Sequence, residues 1–462
     1  MKFLFCIVLM AAGEFFAHAQ ESSPEDQQRE TIQYGTETEI SALIQVLKNE
    51  NSVYLDEDLA LLMQTTENAA IMTGIWAFFG DREKSGLEER ALQTIDSYQD
   101  TANEIVIAAI EYLGKMKNPD AVEPLKNLLD TGDRAFMNVS FRALGKVSAA
   151  APDETALYLM DYYTNRNPGD ENRRDLISAI GETGSSESIS FLSDIATNNE
   201  ERPLLRTAAL EALSKLGDSS GLDAVLSAVN ASDPTVRASA IAALGPFSGD
   251  RVDSIILEGF RDSFYRTRIA AATAAGERQL ESAIPYLKYR AERDEVPAVK
   301  DESIRALAAI NNAESNEIIG SLFEARRNPE RVRVIAAEML LKNNPDFYTQ
   351  KIVDELDEAK RARLTSLYNG LRRVLGQAVT PELEALARRF ITTGPADERS
   401  IGLDMVVNNH FTSLESELQL LTQDKNASLA RKALRTLEQL GISPAKPESD
   451  SETLASPEEN PE

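Results

Sequence analysis

Few residues in this chain can do chemistry unaided. Its 462 residues include one cysteine, Cys6, and two histidines, His18 and His410. A thiol or hydroxyl nucleophile needs a base beside it, and a zinc site needs several converging Cys, His or acidic ligands. Cys6 and His18 both fall in the first nineteen residues, which read as a cleavable leader. His410 follows Asn408-Asn409 and reads as the C-terminal cap of a helix. Carboxylates are plentiful, 75 Asp and Glu, but pairs such as Glu88-Glu89 and Glu200-Glu201 read as solvated helix faces. No D-x-[DN]-x-[DN]-G calcium loop and no Gly-rich phosphate loop occurs. The residues therefore predict no catalytic group, no cofactor and no metal.

The leader itself has an address. Lys2 precedes the apolar run FLFCIVLMAA, and Ala17-His18-Ala19 precedes Gln20. A positive start, a short apolar stretch and an A-x-A site predict a signal peptide cut after Ala19. The apolar run is too short to span a bilayer, and no later segment has about 18 consecutive apolar residues. The expectation is an exported protein, periplasmic or secreted, without membrane insertion. Removing residues 1–19 also removes the only thiol, so no disulfide can staple the mature chain.

One residue type does recur at fixed spacing. A basic residue, preceded by an apolar one and followed by small and apolar residues at helical period, appears as Arg173, Arg206, Arg237, Arg268, Lys300, Arg333 and Arg399. The clearest copy is Val236-Arg237 followed by ASAIAALG. Counting eight residues on from each slot gives marks from Gly80 to Glu438, twelve in all, with a mean step of about 32.5 residues. Five slots depart from the basic type: Met72, Val106, Met137, Thr365 and Ala430. Most of these lie towards the ends, where the repeats of an array act as caps.

The elements that position this ladder are helical hairpins. Between successive marks lies a second amphipathic stretch, such as GLDAVLSAVN, with Leu222, Val225, Leu226 and Val229 on one stripe. Polar-Pro pairs open helices at Asn118-Pro119, Asp233-Pro234, Asn328-Pro329, Asn344-Pro345 and Thr380-Pro381. Each unit is thus a helix A followed by a helix B that holds the slot. A lone hairpin cannot bury its stripe, and stacking joins the stripes into one core. An extra helix over Glu37 to Lys48 covers the first pair. In helix B of that pair, Trp76 and Phe79 are either core or a candidate partner-contact patch.

The VR…AA…ALG…LGD pattern resembles the HEAT repeat, in the short form first noted in phycobilisome lyases. The resemblance covers residues 55 to 441. It implies an all-α solenoid, a right-handed superhelix of about twelve helix pairs. It also implies a structural role for the ladder, with each arginine tied to acids in the turns, such as Asp233, or to the adjacent unit. Around residues 36–441 the chain has the leader (1–19), a polar linker (20–35) and an acidic Pro/Ser-rich tail (442–462); residues 36–54 form the cap helix and its loop.

Function is read by exclusion. The hydroxylase branch of this family holds di-iron with His-Glu pairs, and this chain has none. A net charge of −27 opposes nucleic acid and anionic lipid, both of which bind through Lys and Arg. That charge either keeps an Ala/Leu-rich protein soluble or suits a basic partner. The expected role is a non-catalytic scaffold that binds a protein or peptide along its concave helix-B face. The alternatives are a lyase-like HEAT enzyme or subunit, and a structural spacer in the envelope.

Overall fold

The computed structural model describes residues 24–443, except 51 and 167. The leader, with Cys6 and His18, and residues 444–462 of the tail lie outside the described residues. Among those described there are twenty-six α-helices and no strand. Two come first, α1 (Pro24–Tyr34) and α2 (Glu37–Glu50). Twelve hairpins follow. Their helices A are α3 (Asp56–Thr65), α5 (Glu88–Asp96), α7 (Val122–Asp130), α9 (Pro152–Arg166), α11 (Ile189–Thr197), α13 (Leu222–Ala228), α15 (Asp250–Gly259), α17 (Ile284–Arg293), α19 (Ala313–Glu324), α21 (Pro345–Arg361), α23 (Glu384–Thr393) and α25 (Glu415–Leu421).

Their helices B are α4 (Ala69–Asp81), α6 (Asn103–Met116), α8 (Met137–Val147), α10 (Asp170–Glu182), α12 (Pro203–Leu216), α14 (Pro234–Ala242), α16 (Tyr265–Glu277), α18 (Pro297–Ile310), α20 (Glu330–Asn343), α22 (Thr365–Gln377), α24 (Ala396–Asn409) and α26 (Ala427–Gln439). The chain divides into two compact units: Met1–Ile195 with Glu211–Leu216, and Ala196–Leu210 with Gly217–Glu462.

The hairpins form because cap chemistry and apolar period agree. In α14, Pro234 takes the first helical position, where its missing N–H is no loss, and Asp233 accepts the amides of Thr235 (2.8 Å) and Val236 (3.2 Å). Asn118 and Thr380 do the same for single 3-10 turns that lead into α7 and α23. In α20, Val332, Ala336 and Leu340 recur every fourth residue and are buried against neighbouring helices. Each fully buried Leu, Ile or Val stabilises by about 1.5–3 kcal/mol.

Helices B approach one another closely because small residues line their seam. A Cβ placed on Gly181 would stand 2.5 Å from the Ala212 Cβ and 2.9 Å from its Cα. One on Gly145 would meet the Ala179 carbonyl at 2.9 Å, and one on Gly276 the Ala306 Cα at 3.0 Å. Real side-chain carbons do not sit that close, so glycine is the residue these crossings admit.

Two expectations need correction. Residues 24–34 of the expected linker are a helix: Ile32 is buried, and Arg29 Nε donates to Asp58 of α3 at 3.2 Å. One apolar anchor and tertiary contact suffice where intrinsic helix signal is weak. The second concerns register. Helices B begin three residues before their slot, α8 excepted, and α22 begins at Thr365. Its slot is therefore Tyr368, not Thr365, and the eighth residue on is Gly376, restoring the glycine mark. The long helix α21, 17 residues, adds the residues that displaced the count.

Candidate partner-binding face

The ladder uses two recurring contacts. Arg206, Arg237, Arg268, Lys300, Arg333 and Arg399 reach back to carbonyls at or just past the end of their own helix A. Arg206 Nε donates to Ala196 O at 3.0 Å, Arg333 Nε to Phe323 O at 2.8 Å, and Arg399 Nε to Gly394 O at 2.9 Å. Lys300 Nζ donates to Glu292 O at 3.0 Å. Arg237 reaches Ala231 and Ser232, and Arg268 reaches Asp262 and Ser263. Carbonyls in the last helical turn (Ala196, Glu292, Phe323) or in the turn that follows are thus satisfied by a cation, which at a helix end also suits the dipole.

The other edge of the guanidinium reaches forward to the next repeat. Arg237 forks onto Asp262 (2.9 and 3.3 Å), Arg268 onto Asp294 (2.8 and 2.8 Å), and Arg399 pairs with Asp424. Each aspartate also shapes the turn into the next helix B, accepting the amide of its N-cap residue: Phe264 (2.7 Å), Val296 (2.9 Å) and Asn426 (2.8 Å). Burial alone would push the Asp262 carboxyl up. The Arg237 guanidinium and the Phe264 amide outweigh it and hold the group below the usual carboxylate range. Asp294 is held down in the same way, by Arg268 and the Val296 amide against burial.

Other rungs vary. Arg173 lies over the Tyr163 ring, 4.4 Å from its centroid, and donates to its hydroxyl. Arg333 is 3% exposed; its Nη lies 2.7 Å from Glu355, at ion-pair distance but not aligned as a hydrogen bond. Asp233 caps its own helix, and Arg206 acts on it only as a nearby charge. The ladder residues are thus engaged by backbone carbonyls, by acids and, at Arg173, by a tyrosine.

A different row of helix B faces solvent. Five residues beyond each slot, the first unit places Ala77, Glu111, Arg142, Ser178 and Glu211, all exposed. In the second unit, Arg305, Glu338, Arg373, Asp404 and Arg435 are exposed in succession and alternate in sign. None of these five pairs with the next along the row, although Asp404 lies 2.7 Å from Lys432. Cavities open beside this row. One of about 860 Å³ is lined by Arg305, Val334, Glu338, Gly370, Arg373 and Ile401. Another, about 560 Å³, lies along α26, and a third, about 290 Å³, lies between α6 and α8 in the first unit. A fourth, about 320 Å³, involves helices A, with Arg251 and Ile255 of α15.

Trp76 and Phe79, the candidate partner contacts, are each 1% exposed and belong to the core. Their face of α4 is covered, so the partner-contact reading of these two residues is withdrawn. His410 takes the left-handed C-cap of α24 (φ 54°), with its N–H towards Val407 O. Among the described residues no group of three His, Cys, Asp or Glu is placed to hold a metal, and no helix is long and apolar enough to cross a membrane.

Stacked A–B hairpins, tied by a basic ladder and closed by Gly/Ala seams, define an α-solenoid of HEAT type. The chain belongs to the spirochaete HEAT repeat protein family, which matches residues 32–436. Among curated proteins none matches. Among solved structures, Kap121p aligns over 89% of this chain and 53% of its own, at 11% identity and TM-score 0.42. Yeast importin-beta (Kap95p) aligns over 91% and 68%, at 13% identity and TM-score 0.49. Human deoxyhypusine hydroxylase aligns over 49% and 98%, at 19% identity and TM-score 0.23. The chain thus spans about half the length of Kap121p.

Proposed function

We propose that this protein is an exported, non-catalytic scaffold that binds a protein or peptide along the exposed row of its helices B. The observation that carries the reading is the alternating row Arg305, Glu338, Arg373, Asp404 and Arg435, with cavities opening beside it. Exposed charges of alternating sign along the row favour a partner of complementary charge, and such complementarity governs encounter and register more than raw affinity. Export rests on the sequence of residues 1–19.

The test uses a photo-crosslinking residue at Glu338, compared with one at Leu157, an exposed position (55%) on helix A α9. In the native exported fraction, Glu338 is expected to give a discrete protein adduct and Leu157 none. The chain recovered there is expected to begin at Gln20. Adducts from Leu157 alone would overturn the choice of face. An uncleaved chain recovered only from the cytoplasm would overturn export.

A further inference from the structure

We propose that the acidic segment Glu448–Glu452 of this same chain docks into the groove along α26, pairing with Arg431 and Arg435. The groove is the α26 end of the row proposed above for an external partner, and the Glu338 crosslink tests that partner separately.

The groove, about 560 Å³, is lined by Asp404, Asn408, Arg431, Lys432, Arg435 and Gln439, among others. Its acid is already engaged: Asp404 lies 2.7 Å from Lys432 Nζ, which also donates to Ser400 Oγ at 2.8 Å. Arg431 and Arg435 are exposed. Arg431 Nε donates only to Ala427 O in its own helix, at 3.2 Å. Arg435, four residues further along the helix, lines the same groove. Two like charges four residues apart on a helix repel unless an anion lies between them. In a chain of net charge −27, such a pair marks a place for carboxylates.

The chain supplies carboxylates at matching spacing. Residues 444–462 hold six acids and one lysine, Lys446. Glu448, Asp450 and Glu452 alternate with Ser449 and Ser451. In an extended segment, alternate residues share a face about 6.6–6.8 Å apart. Arg431 and Arg435 are about 6 Å apart along their helix axis. Reach is sufficient: Gln439 lines the groove, Ser443 O is held by Gln419 Nε2 at 3.0 Å, and nine further residues to Glu452 extend up to about 30 Å.

The test uses the full chain with Cys6→Ser, Ser428→Cys at the groove and Ser451→Cys in the segment. In low salt, the intramolecular disulfide is expected to form about tenfold faster than in the same chain with Arg431→Glu and Arg435→Glu. A matching loss is expected for Glu448→Gln, Asp450→Asn and Glu452→Gln, which leave α26 untouched, and at about 1 M salt. Equal rates in all four conditions would overturn the proposal, as would disulfide-linked dimers as the main product.

Discussion

Asp294 is held from three sides, by the Arg268 fork, by Arg290 at 3.2 Å and by the Val296 amide. Asp294→Ala would strand Arg268, whose side chain is 11% exposed. The expected loss is about 3–5 kcal/mol, read as a lower denaturant midpoint; a loss below about 1 kcal/mol would refute the reading. The sign of the pH dependence follows from the depressed carboxyl. Its stabilisation is complete above the unfolded value, near 3.9, and fades as pH falls through the lower folded value. Asp294→Asn should therefore flatten the acid limb of the stability profile below about pH 4 and leave its slope near neutrality unchanged. The arginine half of these pairs is legible in the sequence, because Arg237, Arg268 and Arg399 repeat after an A–B turn. The aspartate half is not, because Asp262, Asp294 and Asp424 stand six residues before a slot while Asp233 stands four before. Six residues before Arg237, Arg333 and Arg399 stand Ala231, Arg327 and Thr393, so the acid recurs too seldom for a period to find it.

For helices, the seam decides. Alanine is the better helix former by about 1 kcal/mol, yet Gly181→Ala would drive a methyl into the Ala212 backbone. Overpacking of this kind costs about 1–3 kcal/mol, so net destabilisation is expected, measured by thermal unfolding beside Ser178→Ala on the exposed side of the same helix. A stabilised Gly181→Ala chain would show that the crossing is loose. The helices B are the most legible elements, since their small-residue pattern and their stacking demand the same positions. Legibility fails where one element changes length. The 17 residues of α21 shift the slot from Thr365 to Tyr368, whose hydroxyl donates to Glu398 of the next repeat. It fails again at Trp76, because an apolar run gives no sign of which face a neighbouring helix covers.

Over the whole molecule, the count of twelve pairs is readable because the period survives local change. The exposed row beside the slots is not, because Arg305, Glu338 and Arg373 look like ordinary surface charges until adjacent helices put them in line. Net charge is equally uninformative here: a strongly acidic chain still presents exposed arginines along this row.

The aspartates that both open a helix and grip the previous arginine make the chain editable. Arg237 to Asp262 and Arg268 to Asp294 are steps of 25 and 26 residues, so one grip can replace the other. Excising residues 238–268 would join the start of α14 to the rest of α16 and bring Arg237 into the place of Arg268, opposite Asp294. That shortened chain is expected to keep its helical circular dichroism per residue and a single sharp melt. Excising only residues 238–252 should broaden the melt, because no acid then meets Arg237 in phase. Growth or loss by whole phrases is thus written into the joints: the array can change its length without relearning how to fold.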